Sequence, residues 1–217
     1  GIYAPGDESG DAYRYTTALA QRCAEHGVTF LYRHAVQRIR VERERIAAVP
    51  VAGPGGISTA LEADAYVVAL GCWSPLLVRA LDLELPVYPV KGYSITLPVR
   101  DGDVAPRVSI TDEEHKLVFS RLGARLRVAG TAELAGYDQS IDIQRCRSML
   151  ERTLRLFPRA GDASSVEYWA GLRPATPGNV PLIGKTRYAN LYLNTGHGTL
   201  GWTLACGSAR RLAAVLS

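Results

Sequence analysis

The chain has no apolar run long enough to cross a bilayer, no stretch that reads as a signal peptide, and no dense block of lysine and arginine. The first absence excludes a membrane-spanning helix. The last argues against a nucleic-acid partner: the net charge is only +4, and the arginines between 38 and 45 alternate with Glu42 and Glu44. Peripheral attachment to a membrane surface stays open. The cysteines, Cys23, Cys72, Cys146 and Cys206, form no CxxC and no metal-ligand spacing. They read as reduced, buried thiols of a cytosolic protein, with neither a disulfide framework nor a structural metal. No pair of acidic residues is spaced for general acid/base work, and there is no internal repeat or low-complexity tract.

What the sequence does have is a strand–turn–helix junction near its end. Leu191 to Leu193 is a short apolar run, glycines follow at 196, 198 and 201, and a long small-residue and apolar segment completes it. Such a junction aims free backbone N–H groups and the positive end of a helix dipole at one place. The glycines let that backbone approach a flat or anionic ligand closely.

Periodicity and punctuation predict the other elements. Residues 11–26 read as a helix with Asp11 at its N-cap and Gly27 past its end, followed by a strand at 28–32. Residues 35–41, 46–51 and 57–61 read as an antiparallel meander, and 65–70 as a buried parallel strand ending at Gly71. A short helix at 73–81 carries Pro75 in its first turn. Residues 85–98, punctuated by Pro86, Pro89 and Gly92, read as a linker entering a new sheet with strands at 93–97, 107–110, 116–121 and 126–130. An amphipathic helix at 143–157 stops at Pro158, and a strand at 166–171 leads into LRPATPGNVP. The expected fold class is therefore mixed α/β (α+β). Residues 1–85 and 172–217 would share one domain, interrupted by an antiparallel-sheet domain at 86–171.

Five separated segments carry a resemblance. GDESGD (6–11), ADAYVVALG (63–71), LPVYPVKGYS (85–94), AGTAELAGYD (129–138), and GLRPATPGNVPLIG (171–184) with NLYLNTGHGTLGWTLACG (190–207) resemble FAD-dependent oxidoreductases of the D-amino-acid oxidase type. Within that family the likeness is greatest to the small subunit of bacterial D-amino acid dehydrogenases. The resemblance implies a Rossmann-like FAD-binding domain with an antiparallel-sheet substrate domain. It further implies oxidation of D-amino acids to 2-oxo acids and ammonia by hydride transfer to FAD, and delivery of the electrons to a respiratory acceptor. The expected location is cytoplasmic, with peripheral attachment to the inner face of the membrane left open, as is the oligomeric state. The family's GxGxxG loop, which holds the FAD pyrophosphate, is missing from this sequence. With a start that reads as mid-domain, its absence leads to the expectation that the chain is the C-terminal half of the family's length.

The same resemblance assigns residues. Arg173 would grip the substrate carboxylate through two parallel N–H groups, where the residue alone would read as a structurally paired or solvated arginine. Gly196, His197, Gly198, Leu200, Gly201, Trp202 and Thr203 would face the flavin ring near N1 and O2, and the Thr199 carbonyl would accept from the substrate amine. A plain packing turn would also want those glycines, and His197 is assigned no acid/base work. Gly71 and Val36 would lie by the adenosine end of FAD, although many buried strands end in glycine. Tyr93 and Tyr137 would roof the substrate pocket; half-buried sheets carry tyrosines without any such role. Lys91 is by position a candidate for flavin or substrate electrostatics, but a solvated loop lysine is the favoured reading. No residue is assigned as a certain catalyst and no metal is implied. Two rival readings are kept: a sibling enzyme acting on glycine or sarcosine-type amines, and a truncated, non-catalytic fragment.

Overall fold

The computed structural model describes residues 1–217, which fall into two compact units. The first comprises Gly1–Arg22 and Val90–Leu172, the second Cys23–Pro89 and Arg173–Ser217. The chain passes between the units near residues 22, 90 and 173, so that residues 1–22 group with the sheet of the first unit.

The first unit is built on an antiparallel sheet in the order β10-β6-β9-β8-β7. Its strands are β6 (Tyr88–Pro98), β7 (Ile110–Asp112), β8 (Leu117–Leu122), β9 (Arg125–Glu133) and β10 (Glu167–Ala175). Helix α3 (Ile143–Leu156) follows from Asp142, whose side chain accepts from the N–H groups of Gln144 and Arg145 and so satisfies two first-turn donors. Cys146 and Met149 of α3 pack on Tyr93, Ile95, Leu97, Phe119, Leu126 and Val128 of the sheet. Inward residues of β6 recur at every second position, as a half-buried strand requires. That strand begins at Tyr88, inside the stretch expected to be a linker: Pro89 lacks an N–H, but the β6–β9 register starts only at Lys91, so no bond of that ladder is lost there. Helix α1 (Ala12–Glu25) starts at Asp11, which accepts from the Arg14 N–H at 3.1 Å.

The second unit holds two smaller sheets. In one, β3 (Arg45–Ala52) pairs antiparallel with β1 (Ala35–Val36), β2 (Arg40–Glu42) and β4 (Ser58–Leu61), the expected meander. In the other, β12 (Leu191–Thr195) lies between antiparallel β11 (Leu182–Lys185) and parallel β5 (Tyr66–Val68). Their shared core contains Ile39, Ile46, Val68, Val78, Leu81, Tyr188 and Leu191. The Asn190 carboxamide bonds both the N–H and the carbonyl of Ile46, at 2.8 and 3.0 Å, and fastens the meander to β12. Short helix α2 (Ser74–Val78) follows β5, and α4 (Gly201–Leu216) follows β12.

Two expectations fail here. Residues 28–32 form no strand: Val28, Phe30, Leu31 and Tyr32 are exposed and no strand lies beside them to take their backbone bonds. Strand β5 is buried on one face only, since Val67 is open to solvent while Val68 is buried. Of the cysteines expected to be buried, Cys72 and Cys146 are, while Cys23 is partly buried and Cys206 is exposed.

Candidate functional site

Strands β5 and β12 run parallel, with Tyr66 to Val68 in register with Leu191 to Leu193. Their carboxyl ends therefore open on the same side, the place where open α/β sheets bind ligands. A hydroxyl chain ties the two ends together. Thr195 Oγ1 donates to the Gly71 carbonyl at 3.1 Å, Ser74 Oγ donates to Thr195 Oγ1 at 3.0 Å, and the Leu70 N–H donates to Ser74 Oγ at 3.2 Å. Ser74 and Thr195 are buried, so these bonds hold in low dielectric.

Above that base the chain turns through Gly196 and Gly198, at φ +77° and +53°, a region that residues with a Cβ rarely enter. A Cβ at 196 would also lie 2.7 Å from Thr176 Cγ2. The Gly198 N–H donates to the Pro174 carbonyl at 2.9 Å, and Pro174 packs against Gly71 as well. Arg173, at the end of β10, is thus carried to the edge of this double glycine turn. Burial pushes its pKa below the usual arginine value, so a carboxylate placed against it would meet a guanidinium already stripped of part of its water.

Helix α4 begins directly after the turn. Its N-cap residue is Leu200, whose side chain cannot accept a hydrogen bond, so the helix starts without a capping side chain from that position. Thr199, Leu200, Trp202 and Thr203 are exposed around that end. Beneath it, Asn194 Oδ1 is buried with no hydrogen-bond partner. Donors without caps, a buried lone acceptor and glycines held close by backbone contacts fit a flat, polar-edged, electron-rich ring.

His197 is clamped rather than free to shuttle protons. Its Nε2 lies 2.9 Å from Ser208 Oγ on α4, and burial lowers its pKa, keeping the imidazole neutral. It braces the glycine turn against the helix.

The structure therefore gathers Gly71, Arg173, Gly196, His197, Gly198, Thr199, Leu200, Gly201, Trp202 and Thr203 in one region of the second unit. Val36 lines an apolar cavity of about 270 Å³ shared with Ile39, Leu61, Tyr66 and Leu70, the residue before Gly71. In the first unit, Tyr93 is 1% exposed and gives its hydroxyl to Glu133 Oε2 at 2.5 Å. It belongs to the core of that unit. Tyr137 remains on the surface. Lys91, expected to be solvated, is 2% exposed and ion-paired to Glu133 and Asp138. Its position on β6 two residues before Tyr93 was the available signal, because residues of one parity on a strand share a face. Asp112, Glu114 and His115 come within metal-binding distance of one another, but Arg152 Nε already pairs with Asp112 at 3.0 Å.

The profile of a family described as FAD dependent oxidoreductase matches residues 1–215. A D-amino acid dehydrogenase of Dechloromonas aromatica is 55% identical over the whole chain, and one of Paramagnetospirillum magneticum is 52% identical. The chain spans about half the length of these curated relatives, 52% and 50%. Among solved structures, glycine oxidase from Bacillus cereus superposes with a TM-score of 0.76 at 25% identity, covering 93% of this chain and 54% of that one. L-proline dehydrogenase from P. horikoshii, at 20% identity and a TM-score of 0.78, covers 94% of this chain and 55% of its own, and shares the fold. Parallel strand ends, a double glycine turn and an uncapped helix start thus sit in a chain whose whole length matches one profile, and the chain belongs to the family of FAD-dependent oxidoreductases.

Proposed function

We propose that this chain forms the flavin-edge and carboxylate-binding part of an enzyme that oxidises D-amino acids to 2-oxo acids and ammonia. One observation carries the reading: Arg173 and Pro174 lie at the joined ends of two parallel strands, beside Gly71 and Gly198. FAD, held there, would supply the hydride acceptor. Arg173 would hold the substrate carboxylate through two parallel N–H···O bonds, which fixes the Cα rather than the carboxylate alone. The Thr199 carbonyl would accept from the amine and keep its nitrogen lone pair directed for C=N formation as the Cα hydride departs. Backbone N–H groups of residues 196–203, with the Thr203 hydroxyl, would stabilise negative charge on the ring edge, where it grows during the reaction. Water then hydrolyses the imine to the 2-oxo acid and ammonia. No side chain need act as a general base if the amine binds neutral, consistent with the neutral His197 and the lack of a paired carboxylate at this site.

The test is a visible spectrum after incubation with FAD and removal of the excess. Retained flavin bands that bleach anaerobically with D-alanine support the proposal; a colourless protein sinks it for this chain and favours the reading as a non-catalytic fragment. The likeness to a glycine oxidase at 25% identity favours a second reading, oxidation of glycine or sarcosine-type amines. Bleaching by sarcosine and not by D-alanine would replace the first reading with that one. We also propose a respiratory electron acceptor and a cytoplasmic location at the membrane surface. No helix is long and apolar enough to cross a membrane, which is compatible with surface attachment. Rapid reoxidation by a quinone analogue, slow reoxidation in air and co-sedimentation with anionic vesicles would support these; fast reaction with oxygen and no sedimentation would reject them.

A further inference from the structure

The sheet of the first unit packs α3 on one face only. Ile95, Leu97, Leu126 and Val128 point into that core, so Ser94, Thr96 and Arg127, which alternate with them, stand on the opposite face. Tyr168 and Ala170 of β10 also pack inward, which places Trp169 and Gly171 on the opposite face as well.

Arg127 reaches across this second face. It sits on β9 and Trp169 on β10, with β6 between them in the sheet. Its guanidinium carbon nevertheless lies 5.0 Å from the centre of the Trp169 ring. The side chain therefore crosses β6, where Thr96 is its register partner. Ser94, the next residue of that face, is opposite Ala129. Ser94 and Arg127 are thus diagonal neighbours, about 7–8 Å apart at the backbone and within reach of a long side chain.

Two polar groups there are unmet. Arg127 makes no ion pair and no hydrogen bond, and its contact is the indole of Trp169. Burial and the repulsion of Arg125 push its pKa below the usual arginine value, against a smaller pull from Asp11. The Asp11 carboxylate is committed elsewhere, to Arg125 at 3.3 Å and to the Arg14 N–H at 3.1 Å. Ser94 is 1% exposed, and its hydroxyl oxygen is buried with no partner. A desolvated cation and a buried hydroxyl each cost stability when left without a partner. A Cβ at position 171 would run into the Trp169 ring, so glycine there lets the indole lie flat along its own strand. That indole is 52% exposed and offers an apolar surface to a ligand.

We propose that Arg127, Ser94 and Trp169 form a binding site for a small carboxylic acid with a flat apolar body. The carboxylate takes two parallel N–H groups of Arg127 and the hydroxyl of Ser94, which meets both unpaired groups at once, while the body lies against the indole. No carboxylate pairs with Arg127 and could hold an ammonium beside it, so the ligand is an acid without an amino group rather than an amino acid. The site is formed by the first unit alone and needs no flavin, so it stands or falls separately from the oxidation reaction.

Calorimetric titration of the full chain without flavin tests the site, with phenylacetate as the probe. The titrations use the Arg173→Leu background, so that carboxylate binding at Arg173 does not contribute. In that background phenylacetate should still bind, and Arg127→Met and Ser94→Ala should weaken it about tenfold and about threefold. Arg127→Lys should recover little of the loss, since an ammonium cannot make the parallel pair of bonds. D-Phenylalanine, which adds an ammonium, should bind about tenfold more weakly than phenylacetate. Thermal melts without ligand read what the same residues do for the fold. Arg127→Met and Ser94→Ala should melt no lower than their parent, because each removes a polar group that has no partner. Absence of binding in the Arg173→Leu background overturns the site, as does binding that survives Arg127→Met. Equal affinity for D-phenylalanine would make this an amino acid subsite and overturns it too. A clear fall in melting temperature in both variants assigns the two residues to the fold and overturns the claim that they are kept for a ligand.

Discussion

Arg173 and His197 make opposite uses of burial. A half-buried guanidinium has lost hydration that a substrate carboxylate can replace, so Arg173→Leu should raise KM for D-alanine about a hundredfold (~3 kcal/mol) with little change in protein stability. Arg173→Lys should recover only a small part, since an ammonium cannot make the two parallel bonds. Steady-state kinetics on the flavin-loaded protein decides; equal KM values for wild type and variant would remove Arg173 from the site. The imidazole of His197 is depressed by burial from its ordinary 6.5. The folded state therefore binds the proton less well than the unfolded chain. Stability contributed by the neutral ring is complete above pH 6.5 and is lost as the pH falls through that value toward the folded pKa. Melting temperature followed from pH 7.5 to 5 should drop less steeply in His197→Gln than in the wild type; parallel curves would show that the ring does not titrate with unfolding.

At the scale of elements, helix α3 depends on its first turn. Asp142→Ala leaves the Gln144 and Arg145 donors without their side-chain acceptor and should cost about 1 kcal/mol, seen as a lower urea midpoint with unchanged slope. An unchanged midpoint would mean that water replaces the cap fully. Elements with internal signals were readable in advance: α1 from Asp11 and Gly27, α3 from its periodicity and Pro158, and the β12–turn–α4 junction from its glycines. What escaped depended on neighbours distant in the chain. Residues 28–32 have strand composition but no strand to pair with, and Glu133 comes to face Lys91 only through a shift of register between β6 and β9. The glycine turn at 196–198 was legible because such turns are local. The tie between Gly71 and Thr195 was not, because it joins positions 124 residues apart.

For the molecule as a whole, the second unit leaves much apolar surface in water. Val36, Leu61, Val67, Leu70, Trp73, Leu76 and Trp202 are all exposed. Surfaces of this kind associate or bind amphiphiles. The isolated chain should therefore enhance the fluorescence of an anilinonaphthalene dye in its native state and sediment as concentration-dependent oligomers; a monodisperse monomer that leaves the dye dark would refute this. The division of the chain between the two units also has an outcome in time. Residues 23–89 leave the ribosome before the sheet of β6 to β10 but await β12, made more than a hundred residues later, to pair with β5. The intervening sheet of β6 to β10 can close while they wait. For the seconds that translation of that interval takes, the early strands are nascent polypeptide with no finished partner. A chaperone at the exit tunnel, or slow codons placed after residue 89 rather than before it, should therefore affect the yield of this protein more than any change within its central sheet.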